Sequence, residues 1–450
     1  VEESLNEAHP AGPNDQGGGA DCVVVGAGLS GLTAGLALAR DGYTVQVVDG
    51  APAIGGRVRG GMHHGEPADI GFQTVLRGYP TVSELLTDIG ITSSELHTFE
   101  RRMVVHDGAK WRRLKMLGPG SVMTSGLMSR GDVVRLMRLA ARAGIGGARE
   151  LDGGHHETAA EMFAAAGIGR TSTEMVLRPL LGSMMLDRTL EADAGYTRFL
   201  LGMMARGPAV LPVDGIGMIT DRAATALRAA GGMLWTGTTV ASVMLGADGR
   251  ATGVQLVDGR TIRASSVILA VDAGTAKDLL SGVDDLAAAR LPSERAGCVS
   301  ATFALERPLY EDATILLDGS APDGTDRLDL ICQTTNVTRP GSPGPHILVA
   351  QSATAGWSSV DPGRYADRAL DRLRTLIPGY DWSHNAQLVD ATDHPNALYR
   401  VTPGVRENLP GPRTMVRNLV LAGDATTHPS LEGAVSAGTR AAGVVTDLLQ

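Results

Sequence analysis

The chain has 450 residues, 43% of them hydrophobic, with a formal charge of −9 at pH 7. That length is more than one simple core serves, so two or more domains are expected. The acidic balance gives no electrostatic footing for nucleic acid or an anionic membrane surface, and no uncharged apolar run of about 18 residues marks a transmembrane segment.

Residues 1–20 are polar, carry Pro and Gly and lack an apolar core, so they read as a disordered lead rather than a signal peptide. Strand-like runs at 21–25 and 44–48 flank a helical pattern at 29–40, the first βαβ turn of a doubly wound sheet. A glycine-rich stretch, "GGRVRGGMHHGEPADIGFQTV", leads into a helix-dominated middle, with helical spacing through "TVSELLTDIG", "DVVRLMRLAARAG" and "TAAEMFAAAG". Strand character returns at 233–245, 252–257 and 261–271. A second sheet is expected from 297–306, 313–317, 328–334 and 346–352, then a helix near 364–376. The chain closes on a strand, a loop and a long helix. These elements predict an α/β protein. Segments 21–75, 206–285 and 413–450 form a discontinuous Rossmann-like domain, and 76–205 with 286–412 form an inserted mixed sheet-plus-helix substrate domain.

The first βα turn reads "VVVGAGLSGLTAG". Gly26 permits a tight turn, Gly28 lets a pyrophosphate approach the backbone, and Gly31 lets the helix pack closely on the strand. Leu29 and Ser30 open that helix, whose first N–H groups and dipole face the phosphates. Asp49 lies 18 residues after Gly31, placed to accept the hydroxyls of an adenosine ribose. A ligand-free glycine turn is the alternative, disfavoured by the strand before, the helix after and the acid at the right distance.

This loop does not separate NAD from FAD, since both present the same ADP half. Two further stretches do. Gly55, Gly56 and Arg57 form a second glycine turn with an arginine, suited to pyrophosphate or flavin. Near the C-terminus, in "LVLAGDATTHPSLEGAVSAG", Gly423 and Asp424 end a strand and a helix starts around Leu431, Gly433 and Ala434. Asp424 can bond a ribityl hydroxyl, or simply cap a helix, while the helix start can face the carbonyl edge of a flavin and stabilise its reduced form. The cofactor read from this set is FAD. With no cysteine near the C-terminal motif, noncovalent binding is expected.

"VVVGAGLSGLTAGLALARDGYTVQVVDGAPAIGGRVR" and "LVLAGDATTHPSLEGAVSAGTRAA" resemble the N- and C-terminal signatures of the FAD-dependent amine oxidase superfamily, which takes in monoamine oxidase, protoporphyrinogen oxidase and phytoene desaturase relatives. "ADIGFQTVLRGYP", "LRPLLGSMMLDRTLEADAGY" and "LPVDGIGMITDRAATAL" look like its desaturase branch. The resemblance implies an amine oxidase-like two-domain fold with the flavin at the junction. It implies that the backbone of Val240 receives the adenine edge, and that Gly71, Phe72 and Gln73 run past the flavin ring. The chain departs from the amine oxidases in having no aromatic residue after Tyr399, and so no aromatic pair around an amine. Lys277 sits about one residue from the place of the family lysine.

Candidate catalytic residues are therefore Lys277, His428 and Tyr399, each with a bland alternative: a solvated helix lysine, a packed loop histidine, a core tyrosine. The pairs His63–His64 and His155–His156 have no metal-type partners, and no metal is expected. Cys22, Cys298 and Cys332 lack CxxC or metal spacing and suit a reducing, cytoplasmic compartment. The reaction expected is a two-electron oxidation of a C–N or C–C bond in a small or medium organic molecule, by hydride transfer to the flavin. With a single GxGxxG, the acceptor is O2, a quinone or a protein. Methionines 184, 185, 203 and 204 suggest an aliphatic or bulky pocket, or core. Rival readings are a non-redox binding protein on the same scaffold and an NAD-dependent dehydrogenase.

Overall fold

The computed structural model describes residues 19–115, 126–151, 156–320, 328–355, 357 and 360–450. The expected lead at 1–20 therefore lies almost wholly outside the described residues, as does His155. The chain divides into two compact units. The first holds the residues up to Arg57, Thr220–Leu291 and Leu409–Gln450, and the second holds Val58–Ile219 and Pro292–Asn408.

In the first unit five parallel strands lie in the order Met233–Trp235, Val45–Val48, Ala20–Val25, Thr261–Leu269, Leu419–Leu421. Thr261–Leu269 begins as the antiparallel neighbour of Ala251–Leu256, which pairs in turn with Val240–Leu245. Within these strands Val23–Val25, Val267–Leu269 and Leu419–Leu421 are short apolar runs, as strands covered on both faces require, and Val23, Val24, Val47, Val267 and Ile268 are fully buried. Helix Leu29–Arg40 packs on helix Leu431–Leu449 at backbone distance, since a β-carbon on Gly438 would lie 2.3 Å from the Ser30 carbonyl oxygen. Asp284 pins the C-terminal segment to this core, taking the N–H groups of Ala287 and Met415 at 3.0 and 2.6 Å.

The second unit is built on a seven-stranded mixed sheet. Its order is Ala386–Tyr399, Arg295–Leu305, His346–Ala353, Leu330–Gln333, Ile315–Asp318, Arg102–His106, Trp111–Lys115. Helix Pro362–Leu376 starts with Asp361 accepting from Arg364 N and buries Tyr365, Ala366, Ala369, Leu373 and Leu376, a stripe of helical period. That stripe packs on Val299, Ala301, Phe303 and Leu305, one face of the strand Arg295–Leu305. Among the helices, Arg130–Gly146 and Ala194–Arg206 meet at Gly202, whose β-carbon would lie 2.6 Å from the Ala143 backbone.

Two features depart from the expected organisation. Residues 58–75 and 206–219, grouped by sequence with the nucleotide segments, belong to the second unit. Backbone pairing is the cause: Val75–Leu76 and Leu96–Thr98 flank Ala209–Pro212 in a three-stranded sheet, and Asp69 accepts from Ile216 N at 2.7 Å. The middle of the chain also carries the hairpin Arg102–His106/Trp111–Lys115, and the 14-residue strand Ala386–Tyr399 lies where no strand was expected. Among the described residues no helix is long and apolar enough to cross a membrane, and no group of three or more His, Cys, Asp or Glu side chains could hold a metal ion.

Candidate cofactor site

The glycine loop, the GGR turn and the C-terminal Gly–Asp pair interlock within the first unit. Gly26 sits at φ 107°, and a β-carbon there would lie 2.5 Å from the Ala270 carbonyl oxygen. A β-carbon on Gly31 would lie 1.9 Å from the Gly26 carbonyl oxygen, so helix and loop are in backbone contact. At Gly28 the situation reverses: nothing lies within 4 Å of the position a β-carbon would take. Gly28 is also the N-cap of helix Leu29–Arg40, and among the described residues no side-chain cap bond is made at that end. A helix start with open space in front of it and no side chain over its N–H groups fits a pyrophosphate. FAD thus fits the residues present here.

The second glycine turn is laid on the first. Gly55 N donates to the Ala27 carbonyl oxygen at 2.9 Å, and Gly28 and Gly55 form an isolated parallel bridge. Asp49 ties the same loop from the other side, its Oδ2 accepting from Ala27 N at 2.7 Å and its Oδ1 from Ala51 N at 2.8 Å. Each oxygen keeps a further lone pair for a ribose hydroxyl. Asp49 therefore shapes the loop whatever else it binds. Next to it, Asp49 N donates to the Trp235 carbonyl oxygen and Thr238 N to that of Asp49, which sets the chain leading to Val240 alongside. Val240 opens the strand Val240–Leu245 and is partly buried.

Arg57 and Asp424, read from the sequence as separate contacts to the cofactor, form one bidentate ion pair. Arg57 Nη1 donates to Asp424 Oδ2 at 2.8 Å and Nη2 to Oδ1 at 2.7 Å. The Asp424 side chain is 7% exposed and that of Arg57 42%. The Asp424 carboxylate raises the Arg57 pKa further above its ordinary value, with Asp272 adding to the effect against the cost of burial. The positive charge of Arg57 is thus largely matched by protein carboxylate, and a phosphate draws mainly on the helix start. Gly423 N donates to Ser30 Oγ at 2.9 Å, joining the C-terminal motif to the first helix. Ser430 caps helix Leu431–Leu449 by accepting from Gly433 N at 3.0 Å, and its carbonyl takes Ala434 N. Two of the amides expected near a flavin carbonyl are accordingly engaged in the cap.

Of the catalytic candidates, His428 is buried, with Nδ1 3.0 Å from the hydroxyl of the capping Ser430. A β-carbon on Gly433 would lie 1.9 Å from the His428 carbonyl oxygen, so this histidine is packed into the helix start. Lys277 is partly buried on helix Ala273–Leu280 of the first unit. Tyr399 is 5% exposed at the end of the strand Ala386–Tyr399 in the second unit. Met185 and Met203 are core residues at 5% and 0% exposure, Met185 Sδ accepting from Thr197 Oγ1. All three cysteines are buried and unpaired, and burial pushes the Cys298 thiol up to about 12 and those of Cys22 and Cys332 higher still.

Gly71, Phe72 and Gln73 lie in the second unit. Gly71 has φ 78°, Phe72 N donates to Gln351 Oε1 at 3.0 Å, and the Phe72 ring meets Phe99 edge-on at 6.0 Å. Gln351, Ser300 and His394 surround Gly71 and have no counterpart among the sequence candidates. For Ser300 and Gln351 the sequence signal is a polar residue within the largely apolar stretches "CVSATF" and "LVAQSA", whereas His394 lies in the polar stretch "DATDHPNALY" and carries no such signal.

Residues 29–446 match the family described as flavin containing amine oxidoreductase. A protein of Mycobacterium tuberculosis named flavin-containing monoamine oxidase AofH is 34% identical over 116 residues, 26% of this chain and 24% of that one, so the match spans about a quarter of that relative. Coproporphyrinogen III oxidase of Mycobacterium leprae is 27% identical over 65% of this chain and 69% of its own. Phytoene desaturase (neurosporene-forming) of Rhodobacter capsulatus is 25% identical over 58% of this chain and 54% of its own. Among solved structures, cyclohexylamine oxidase from Brevibacterium oxydans superposes with a TM-score of 0.68 at 19% identity, covering 96% of this chain and 100% of that one. At that identity the likeness speaks for the fold, an α/β amine oxidase fold. The chain belongs to the flavin containing amine oxidoreductase family, and its cofactor is FAD.

Proposed function

We propose that the chain is an FAD-dependent oxidoreductase that takes two electrons from a C–N or C–C bond of a small or medium organic molecule, in the manner of an amine oxidase or a desaturase. The observation that carries this reading is the interlock of three glycine-bearing motifs around an uncapped helix start, with open space at Gly28. Bound there, FAD would supply the hydride acceptor. The chain's own contribution is to bind and orient: the helix start takes the diphosphate, Asp49 the adenosine ribose, Val240 the adenine edge, and Asp424, held by Arg57, the ribityl chain. Desolvation and positioning of the substrate, rather than a strong general base, fit the absence of an exposed acid–base pair among the three catalytic candidates. Lys277, His428 and Tyr399 enter only as residues to be tested by substitution.

A single dinucleotide loop supports reoxidation by O2, a quinone or a protein in place of NADPH. The net charge of −9 and three buried thiols support a cytoplasmic protein that does not bind nucleic acid. The test is anaerobic mixing of the yellow protein with amines, amino acids and polyenes. A true substrate bleaches the flavin in one turnover without NADPH. Bleaching that needs NADPH and adds oxygen to the product would make the protein a monooxygenase and sink this reading. A purified protein with no flavin spectrum would instead favour a binding protein or a nicotinamide enzyme.

A further inference from the structure

The seven-stranded sheet of the second unit has two unlike faces. On the strand Arg295–Leu305, Val299, Ala301, Phe303 and Leu305 meet the apolar stripe of helix Pro362–Leu376. Strand alternation sends Cys298, Ser300 and Thr302 to the opposite face. Ser300 lies directly across from Gln351, and Cys298 across from His394, so polar side chains of three adjacent strands share one patch of that face.

Gly71 marks where they converge. A β-carbon on Gly71 would lie 3.5 Å from Gln351 Oε1, 3.6 Å from His394 Nε2 and 3.8 Å from Ser300 Oγ. Gln351 Oε1 is satisfied by Phe72 N, which holds the amide in place. The other two atoms are not. Ser300 is 1% exposed, and both Ser300 Oγ and His394 Nε2 are buried without a hydrogen-bond partner among the described residues. A buried polar group left unmatched destabilises the fold, and two of them around one glycine are not explained by packing. Burial lowers the His394 pKa below its ordinary value, and Arg59 lowers it too, against the opposing pull of Asp393 and Asp390. At pH 7 the ring is therefore neutral, and its Nε2 can donate or accept according to tautomer.

We propose that Ser300 and His394, positioned with Gln351 around Gly71, form a substrate subsite for an uncharged hydrogen-bonding group: a hydroxyl, carbonyl, amide or unprotonated amine. The subsite rests on the reading of the chain as a flavin oxidoreductase and narrows it. Its substrate carries a neutral polar group close to the segment Gly71–Gln73, which sets it apart from an all-hydrocarbon polyene. Gly71 is part of the device, because any side chain there would fill the space the polar group takes. Ser300 and His394 are specificity residues, with no proton transfer assigned to them.

The test uses FAD-loaded protein and three probes of similar shape, cyclohexanol, cyclohexanecarboxamide and methylcyclohexane. Binding is followed by ligand-observed NMR and by the difference spectrum of the flavin. Wild type should bind both polar probes at millimolar concentrations. S300A and H394F should each weaken them by about three- to tenfold, the loss expected for one hydrogen bond, and leave methylcyclohexane unchanged. H394N, which keeps a donor and an acceptor, should recover part of the loss. S300A removes an unmatched hydroxyl, so its Tm should equal or exceed that of wild type, whereas a hydroxyl serving the core would lower it. The proposal is overturned if wild type binds neither polar probe, if the variants bind them as wild type does, or if methylcyclohexane weakens equally. Protein that purifies without flavin would sink the oxidoreductase reading, and NMR titration of that protein would still decide the subsite.

Discussion

Asp49, Arg57, Asp424 and Asp69 show how much one side chain's neighbours decide its role. Asp49→Ala removes two carboxylate bonds to the loop amides of Ala27 and Ala51 as well as the proposed ribose contact. It should cost about 1–3 kcal/mol of stability and lower FAD affinity more than tenfold, measured by denaturant unfolding and flavin titration, with excess FAD restoring turnover. Retention of FAD at wild-type affinity would remove Asp49 from the cofactor site. The Arg57–Asp424 pair is half open to solvent on the arginine side, which tempers its strength. R57A and D424A should each destabilise, and the double variant should fall short of their sum by about 1 kcal/mol; additive losses would mean the pair is not coupled.

Asp69 in the second unit carries its charge at a cost. Burial pushes its pKa up to about 6 even though Ile216 N and Gly217 N donate to it, and its Oδ1 is buried without a partner among the described residues. A raised carboxyl pKa means the folded state holds its proton longer than the unfolded one, so this group's contribution to stability falls as pH rises from about 4 through 6. D69N should therefore gain on wild type across that window, by about 2–3 kcal/mol, and be level with it below pH 4. Urea unfolding at pH 4 and pH 7.5 checks this, and a difference independent of pH would show that Asp69 is not the titrating group.

At the scale of elements, the helix pair Leu29–Arg40 and Leu431–Leu449 governs the cofactor loop. Contact runs through Gly438, whose missing side chain lets the helix lie against the Ser30 backbone. G438V should push the two helices apart, cost about 1–3 kcal/mol through overpacking, and loosen the Gly423–Ser30 bond that joins the motifs. The readout is flavin content after dialysis, expected to fall while the second unit keeps its folding signal. Flavin content equal to wild type would mean the helix contact does not hold the loop. The first helix and the apolar strands beside it were legible because burial on both faces leaves continuous Val and Ile runs. The strand Ala386–Tyr399 was not legible, since an edge strand carrying Pro395 and irregular register shows neither alternation nor a continuous run.

For the whole molecule, the three motif segments that build the first unit are separated by some 160 and 120 residues and still close on one loop. Their cofactor should be held without a covalent bond, because among the described residues every cysteine is buried in a strand and its thiol is held protonated. Acid precipitation should release the yellow colour to the supernatant, and colour left in the pellet would overturn that expectation.

The sequence by itself determined the α/β class, the family and the FAD cofactor, since these depend on local grammar: glycines at fixed spacing, an acid after the second strand, and a glycine–aspartate pair ahead of the last helix. Only the tertiary structure decided that Arg57 and Asp424 neutralise each other across 367 residues of chain, that residues 58–75 and 206–219 pair into the second unit, and that Ser300, Gln351 and His394 gather at Gly71. Those outcomes depend on strand register and on which faces end up buried, and long-range pairing of that kind leaves no period in the sequence to read.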